Sequence, residues 1–574
     1  MRHLIVLGIL IAIVLSPFLY IGNYAGDSQV HLIYGQNAAE GRFFEFNPGE
    51  KSSGVTSPGF MLLLASFFKV FPDVWVPAIL KAANILSWYG LVAVVFLLAR
   101  QLLRSTHWAW AAALAAGVLP GSVYNSTIGM ENGIFAFVVF LWIYAATRAR
   151  WFAVPRPQRK FARDEVLLAI LLGVACWLRP EGFVVAAVAL AFRAIPSFGS
   201  RSNFADTLRR SGVFLIPFLV VAGGLVYFNY YQTGQLVPTS GISRILMSKL
   251  AADSFVLGPF FFSPKFTIRL AAYSPLTILW LVGNWVMLTG RGANFRSKEV
   301  LPFLIGLVWA AFILYSSIVG SVHLARYIIF ALPALVLVAF VGAKWMWEFW
   351  GIPGHPQRRL ALATAFAGLT VMLAAVFLVE TQLRLQLDSQ GSLWRAMRGP
   401  EERGAFSEEL FDRLGRPDDL PIIVALQEVQ ARYWLDSRFV VRSLDGRVDP
   451  VLLSYATGDG IDHIGYLDNR GVQFLLDAPN YNRDPNLWSL HRLRDMEVGE
   501  TLSHGGLIFS RLPTEGADRG TAAEQADVWR WFGRADAPTV LQWYLGILVR
   551  VERQNAGDRS SNETDHSNDV GSNY

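Results

Sequence analysis

The chain has 574 residues, of which 53% are hydrophobic and 16% are charged. Soluble globular proteins carry about 25% charged residues, so this composition excludes an ordinary soluble protein and is typical of a chain lying largely in a bilayer. The formal net charge is +6, with the basic residues mainly in short loops between apolar runs. They therefore indicate membrane orientation, and no nucleic-acid partner is predicted. The single cysteine, Cys176, excludes an intrachain disulfide.

The apolar pattern predicts about eleven membrane spans, each requiring roughly 20 apolar residues. The runs are 3–22, 76–103, 107–123, 129–149, 166–178, 182–194, 211–231, 271–289, 301–319, 327–345 and 360–380. The two short runs 166–178 and 182–194 are interpreted as a helical hairpin, and the run 59–71 as an interfacial or re-entrant helix. The first run is long for a signal peptide and is interpreted as an uncleaved anchor.

The loops rich in Lys and Arg predict the orientation of the chain. Basic residues concentrate after 149 and near 195–210, 290–298 and 346–359, so these loops are expected to be cytoplasmic. Starting from a cytoplasmic N-terminus, the eleven spans place the loop 23–58 and everything after 381 outside. We therefore expect a multi-pass protein of the bacterial plasma membrane whose C-terminal part is extracytoplasmic.

The composition changes after residue 380, where charges and turn residues become frequent. Strand-like runs at 422–426, 439–441, 472–476 and 507–509, with a helical pattern at 402–415, predict a small soluble α/β domain over 381–515. Residues 516–551 carry amphipathic signals and predict a helical segment at the interface. The Asn/Ser/Asp-rich stretch 552–574 is expected to be disordered. The expected domains are thus a transmembrane domain over 1–380, these two segments and the tail.

Ionisable residues near the outer ends of spans are candidates for function, because charges are costly inside a bilayer. A carboxylate can act as a general base or orient hydroxyl groups, and Arg and Lys can hold a phosphate. The sequence has no Walker A motif and no Gly-x-Gly-x-x-Gly after a strand, so no nucleotide-binding site is predicted. The candidates are Asp27, His31, Glu131, Arg179, Glu181, Arg244, Lys249 and Arg326.

Each candidate also has a purely structural interpretation. Glu131 can cap the helix that begins near 129, where a carboxylate suits the helix dipole. Arg179 and Glu181 can form a structural pair at the tip of the hairpin. Asp27 can be a solvated loop residue, and His31 can serve packing. Arg326 can extend its side chain to the lipid headgroups, and Arg244 and Lys249 can be ordinary loop cations. Glu40, Glu45 and Glu50 are interpreted as exposed loop residues.

The residues after the first span form a recognisable series: Asp27-Ser28-Gln29-Val30-His31-Leu32-Ile33-Tyr34, Ala39-Glu40-Gly41-Arg42-Phe43, Phe46-Asn47-Pro48-Gly49-Glu50 and Gly54-Val55-Thr56-Ser57-Pro58. Together they resemble the GT-C superfamily of integral membrane glycosyltransferases, and within it the branch of the terminal arabinofuranosyltransferases of the mycobacterial cell wall and their bacterial relatives. The resemblance covers most of residues 1–515. Further matches are Gly129-Met130-Glu131, Arg179-Pro180-Glu181-Gly182, Pro238-Thr239, Arg326-Tyr327 and Ser443-Leu444-Asp445-Gly446.

The resemblance implies a polytopic α-helical membrane protein that takes a sugar, such as arabinofuranose, from a polyprenyl-phosphate donor. The acceptor would be a cell-envelope glycan or glycolipid on the outer face, and Asp27 would be the catalytic base. We assign Glu131, Glu181 and His31 to secondary or acceptor-binding roles, and the donor phosphate to Arg179, Arg326, Arg244 and Lys249. Many relatives have two adjacent acidic residues where this chain has Gly26-Asp27. The sequence therefore leaves open whether a divalent cation, Mg²⁺ or Mn²⁺, assists.

Three alternatives are considered. Within the enzyme class, the chain would be a mannosyl- or aminoarabinose-type transferase. Outside it, the chain would be a transporter or flippase of lipid-linked glycans, or a non-catalytic envelope assembly protein. Transporters tend to bind near the bilayer midplane between repeats, whereas this chain shows no repeat and its candidate charges face one side.

Overall fold

The structure is a computed structural model, and it describes residues 2–22, 24, 26–152, 161–194, 201–236, 238, 240–243, 264–289, 298–318, 329–350, 393–415, 417, 420–426, 429–444, 448–455, 462–477, 499–504, 507–512 and 547–554. The chain divides into two compact units. We call the first the membrane unit; it comprises Met1–Phe44, Val55–Pro238 and Ser254–Arg398. We call the second the C-terminal unit; it comprises Glu45–Gly54, Thr239–Asp253 and Gly399–Tyr574.

The membrane unit is helical. Its helices are α1 (Arg2–Leu15), α2 (Gly26–Ala39), α3 (Pro58–Val70), α4 (Val76–Leu103), α5 (Thr106–Val118), α6 (Pro120–Thr127), α7 (Asn132–Arg148), α8 (Phe161–Leu178), α9 (Glu181–Ala194) and α10 (Arg201–Thr233). Three further helices are Pro264–Leu288, Leu301–Ile318 and Leu332–Trp350. The prolines that open α3, α4 and α6 occupy first-turn positions, where the missing N–H costs no helical hydrogen bond.

Three helices within the described ranges are long and apolar enough to cross a bilayer: Asp73–Leu103, Ser211–Thr233 and Leu332–Phe349. A pair bent by 110°, Gly121–Thr127 with Asn132–Arg148, makes a fourth if it is one broken span. The predicted runs up to 345 do form helices, but within the described residues only these three, or four with the bent pair, qualify as full spans, against the eleven expected. The predicted run 360–380 lies outside the described residues.

The core of the membrane unit is built around α4, which packs against α5 and α7, while α8 packs along α10 and α2 along α3. Large aromatic side chains fill this core, and Trp88 of α4 and Trp142 of α7 are fully buried. Trp142 meets Trp151 edge to face, with ring centroids 5.4 Å apart. The packing fixes α4 and α7 against each other and so fixes the loops at their ends.

The C-terminal unit contains a six-stranded mixed sheet in the order β2-β1-β3-β6-β5-β4. Its strands are β1 (Ile422–Leu426), β2 (Phe439–Ser443), β3 (Phe474–Asp477), β4 (Thr501–His504), β5 (Leu507–Arg511) and β6 (Ile547–Arg553). β1 pairs in parallel with β2 and β3, and the other pairings are antiparallel. The helices Leu393–Arg413 and His463–Asn469 accompany them. The predicted alternation of strands and helices is confirmed.

One prediction fails at the end of the sequence. The segment 516–551 was expected to be helical, but Ile547–Arg553 is strand β6, which lies between β3 and β5. The residues Ile-Leu-Val-Arg-Val-Glu-Arg are rich in β-branched side chains and end in a strict apolar–charged alternation, which suits a strand. The rest of that segment, 516–546, and residues 555–574 of the expected tail 552–574 lie outside the described residues. Glu552 and Arg553, expected in the disordered tail, belong to β6.

The segment Glu45–Gly54, which connects α2 to α3 along the chain, folds as part of the C-terminal unit. An isolated bridge joins Glu45 to Lys51. The side-chain amide of Asn47 donates to the carbonyl of Val441 at 2.8 Å and accepts from its N–H at 3.0 Å. Val441 belongs to β2, the edge strand, so Asn47 takes the place of a neighbouring strand there.

Glu50 enters a charge network of the C-terminal unit. Its carboxylate accepts from Arg442 and, at 3.3 Å, from Nη2 of Arg470. Oδ2 of the buried Asp449 accepts from the Tyr466 hydroxyl at 2.9 Å and from Arg470 Nε at 3.2 Å. Burial by itself would raise the pKa of Glu50, but the two arginines outweigh it and lower that pKa. Burial, and then the Asp449 carboxylate, raise the pKa of Tyr466 well above its ordinary value.

Candidate functional site

The centre of the candidate site is the sharp break between α6 and α7. Gly129 in this break has φ +82°, and a Cβ there would lie 2.5 Å from the ring of Tyr24, so only glycine fits. The N–H of Gly129 donates to Asn84 Oδ1 of α4 at 3.0 Å. The Ser28 hydroxyl of α2 donates to the carbonyl of Ile128 at 3.0 Å. α2 and α4 thus hold the break from two sides.

Glu131, the N-cap of α7, is buried in an ion cluster with Arg179 and Glu181. Nη1 of Arg179 donates to Glu131 Oε1 at 2.6 Å and also to Asn132 Oδ1. Its Nε and Nη2 bind the two oxygens of Glu181 at 3.1 and 2.6 Å. Four donations therefore use most of the five N–H groups of a guanidinium. Removing Arg179 would leave two buried carboxylates without their cation.

The connection between α8 and α9 brings Arg179 and Glu181 into place. Proline at 180 disfavours helix at the residue before it, and α8 ends at Leu178. Glu181 then opens α9, where a carboxylate suits the positive end of the helix dipole. A Cβ on Gly182 would lie 2.7 Å from the backbone nitrogen of Cys176, so glycine allows α9 to approach α8 closely. The predicted hairpin is confirmed, with the ion pair at its tip.

His31 connects α2 to this cluster. Its Nε2 lies 3.4 Å from Glu131 Oε2, and both side chains are buried. The ring also meets Phe60 of α3 edge to face, with centroids 5.2 Å apart. Asp27 lies in the first turn of α2 and is partly exposed. Residues four apart share one face of a helix, so Asp27 and His31 lie on the same side of α2.

The structure therefore brings together His31, Glu131, Arg179 and Glu181 and places Asp27 one helical turn away on α2. With His31 neutral, two carboxylates face one guanidinium, and the cluster has a net negative charge. Among the described residues, no group of three or more His, Cys, Asp or Glu side chains is arranged to hold a metal ion. The candidates Arg244, Lys249 and Arg326 lie outside the described residues.

Three polar residues that support the break were missed by the sequence reasoning: Lys81, Asn84 and Asn132. All three are buried, and the Lys81 ammonium donates to the carbonyl of Tyr20 at 2.7 Å, just before α2. Lys81 and Asn84 lie one turn apart on α4. A lysine inside the apolar run 76–103 was the available signal, since ionisable residues within spans are costly and therefore seldom incidental.

A second buried ion pair lies at the other end of the α8–α9 hairpin. Arg193 binds both oxygens of Glu165 at 2.6 and 2.7 Å, and its guanidinium stacks 4.3 Å from the ring centre of Trp151. Trp151 also donates to Glu165 at 2.8 Å. Fourteen residues of α8 and its end separate Glu165 from Arg179, which is about 20 Å of helix. This pair braces the hairpin away from the candidate site.

No protein-family model and no curated protein matches the chain. Among solved structures, the archaeal oligosaccharyltransferase AglB from Archaeoglobus fulgidus, in complex with an inhibitory peptide and a dolichol-phosphate, is similar over 83% of this chain and 69% of its own, with a TM-score of 0.50 and 12% identity. ArnT from Cupriavidus metallidurans, bound to undecaprenyl phosphate, is similar over 87% and 95%, with a TM-score of 0.45 and 13% identity. At this identity the likeness to AglB is one of fold alone.

Proposed function

We propose that the chain is a GT-C-type glycosyltransferase that moves a sugar, arabinofuranose being the first candidate, from a polyprenyl-phosphate donor to a cell-envelope glycan or glycolipid. The observation that carries the proposal is the buried cluster of Glu131, Arg179 and Glu181 at the α6–α7 break, beside the helix whose first turn bears Asp27. The likeness of fold to AglB, which was crystallised with a dolichol-phosphate, supports a lipid-linked donor.

Asp27 is the proposed base. It is partly exposed at the start of α2, so an acceptor hydroxyl can reach it, whereas Glu131 and Glu181 are buried and bound to Arg179. In the proposed reaction Asp27 takes the proton of the acceptor hydroxyl as its oxygen attacks the anomeric carbon. The polyprenyl phosphate then leaves with the electron pair of the broken bond.

Arg179 is assigned a positioning role. Its hydrogen bonds to Glu131, Asn132 and Glu181 use most of its N–H groups. This favours a role in positioning the two carboxylates over direct binding of the donor phosphate. The donor phosphate is then left to Arg326, Arg244 and Lys249, all expected on the outer side. The net negative charge of the cluster suits contacts with hydroxyl groups, which donate to carboxylates.

Deletion and complementation test the function. A deletion strain should lose a sugar from its envelope glycans, detected by mass spectrometry, and the wild-type chain should restore it. Asp27→Asn, expressed at the same level in the membrane, should not. An unchanged glycan profile in the deletion strain would overturn the proposal. Restoration by Asp27→Asn as complete as by wild type would remove Asp27 as the base. A transporter or an assembly protein would then be favoured only if the purified wild-type protein also transfers no sugar.

A further inference from the structure

His31 lies beside one carboxylate and one helical turn after another. Its Nε2 faces Oε2 of the buried Glu131 at 3.4 Å, and Asp27 lies one turn earlier on the same helix face. Glu131 is itself held by Arg179 at 2.6 Å, so the orientation of its carboxylate is fixed. A histidine oriented by a fixed carboxylate is the arrangement by which proteins prepare an imidazole to take up a proton.

We propose that His31 receives the proton that Asp27 removes from the acceptor, with Glu131 orienting the imidazole and pairing with the imidazolium. The proposal rests on the proposed glycosyl transfer. It makes His31 a residue that acts through Asp27, without itself touching the sugar.

The proposed step conserves protons and electrons. The acceptor oxygen bonds to the anomeric carbon, and the bond from that carbon to the phosphate oxygen breaks, with both electrons leaving on the phosphate. The acceptor proton passes to Asp27 and from there to His31, so Asp27 is ionised again. The imidazolium is stabilised by Glu131 until the proton is released to water before the next cycle.

The surroundings of His31 favour this role. α3, which packs along α2, presents Phe60 to the ring, so the proton-accepting group is enclosed on that side by an apolar face. The ionisable groups near it include Glu131 at the break, 3.4 Å from its Nε2, and Asp27 one turn earlier on its own helix. Behind Glu131 stand Arg179 and Glu181. Glu131, whose Oε2 lies 3.4 Å from Nε2 of His31, is the group that pairs with the imidazolium in the proposed relay.

The test compares His31→Gln and His31→Phe with Asp27→Asn and with the double variant Asp27→Asn/His31→Gln. Gln keeps an N–H group toward Glu131 but takes up no proton near neutral pH, and Phe keeps the ring against Phe60. The full-length protein in detergent is given a panel of short-chain polyprenyl-phosphate sugars, arabinofuranose among them, and envelope oligosaccharides as acceptors. Glu40→Gln, at an exposed carboxylate paired with Arg42, is the control.

We expect His31→Gln to lower kcat by about 10²-fold with little change in KM, and to remove the limb of the pH profile between about pH 5 and 8, where imidazole titrates. The double variant should be no slower than Asp27→Asn alone, because both residues act on one proton. If His31→Gln folds poorly, Glu131→Gln gives the same test: the limb should move to lower pH, since the imidazolium loses its carboxylate partner.

Two results overturn the relay. One is a His31→Gln protein with the rate and pH profile of wild type. The other is a double variant whose losses multiply, which would mean that the two residues act independently. If wild type transfers and Asp27→Asn does not, either result removes the relay alone and leaves the proposed function standing. If wild type transfers no sugar from any donor, all variants are equal and the function falls together with the relay.

Discussion

Asn47 and Val441 are joined by two hydrogen bonds, although 394 residues separate them along the chain. The amide side chain of Asn47 offers one donor and one acceptor, the same pair that a strand backbone offers at each hydrogen-bonded position. It thereby satisfies both polar backbone groups of Val441 on the outer side of the edge strand β2.

Replacing Asn47 by Leu should expose this edge. The N–H of Val441 loses its acceptor, so its hydrogen exchange should accelerate, while Val424 in the central strand β1 stays protected. A cost of about 1–3 kcal/mol is expected for leaving the two groups without partners. Lys51→Gln, which breaks the ion pair with Glu45 in the same segment, is the matched control and should leave the exchange of Val441 slow. Equal exchange of Val441 in wild type and Asn47→Leu would contradict the pairing.

Glu50 should make the stability of the C-terminal unit depend on acid pH. Its pKa is lowered in the folded protein, because Arg442 and Arg470 outweigh the effect of burial. A lowered pKa means that the stabilisation is present above the unfolded pKa, about 4.3, and is lost as pH falls through the folded pKa. Wild type should therefore unfold at a higher temperature than Glu50→Gln at pH 7, and the difference should shrink as the pH falls below about 4.3. A difference that stays constant down to the acid end of the titration would show that Glu50 acts by packing.

Asp27→Asn should reduce sugar transfer by about 10²–10⁴-fold, the range expected for the loss of a general base. The amide has the same size, so membrane expression and melting temperature should stay near those of wild type. Glu40→Gln makes the same chemical change just after the end of α2, at a carboxylate bound to Arg42 on the surface, and should keep full activity. Transfer by Asp27→Asn within a few-fold of wild type would assign the base to another group.

The two buried arginine pairs of the α8–α9 hairpin provide a matched comparison. Arg179→Lys and Arg193→Lys each replace a two-point contact with a carboxylate by a single ammonium. Each should lower stability by about 1–3 kcal/mol in thermal or chemical unfolding. Only Arg179→Lys should also lower transfer, because only Arg179 holds Glu131. Equal activity of the two variants would mean that the pair at the hairpin tip serves stability alone.

Gly129→Ala should destabilise the α6–α7 break more than a left-handed backbone alone explains. A left-handed conformation costs a non-glycine residue about 1–2 kcal/mol. At Gly129 the new Cβ would also overlap the ring of Tyr24, whereas at Gly234, with φ +71°, no described atom lies within 4 Å. Gly234→Ala thus isolates the backbone cost. The melting temperature should fall further for Gly129→Ala than for Gly234→Ala, and adding Tyr24→Ala to Gly129→Ala should recover part of the loss. Equal shifts for both glycines would rule out the overlap.

The sequence predicted the helices better than their arrangement. The apolar run 76–103 coincides with α4, because an uninterrupted apolar stretch of that length has few alternatives to helix. The break at Gly129 was not foreseen: its signal is one glycine, and the hydrogen bonds that fix it come from Ser28 and Asn84, 100 and 45 residues away. Glu131 and Glu181 were identified from their types and positions. That both carboxylates bind Arg179 could not be predicted, because this pairing depends on which helix ends meet.

For Glu45 and Glu50, sequence reasoning failed because their partners are distant along the chain. A polar stretch with Pro and Gly reads as an exposed loop, and this interpretation is wrong for both, since Glu45 is buried and Glu50 binds two arginines. Nothing local in the sequence marks them, because their environment is supplied by residues near 442 and 470. The strands β1, β2 and β5 were predicted nearly at their observed bounds, since alternation and β-branched residues are local properties.

The membership of Glu45–Gly54 in the C-terminal unit has a consequence for synthesis of the chain. Asn47 is made 394 residues before the strand it completes, which at about 5–20 residues per second is about 20–80 seconds. The unit therefore cannot reach its final structure until the early segment Glu45–Gly54 binds to the later-made strand β2. A fragment that begins at residue 399 would carry an open strand edge, and Arg442 and Arg470 would have one carboxylate fewer. Expressed alone, such a fragment should self-associate along β2 unless a peptide spanning 45–54 is added.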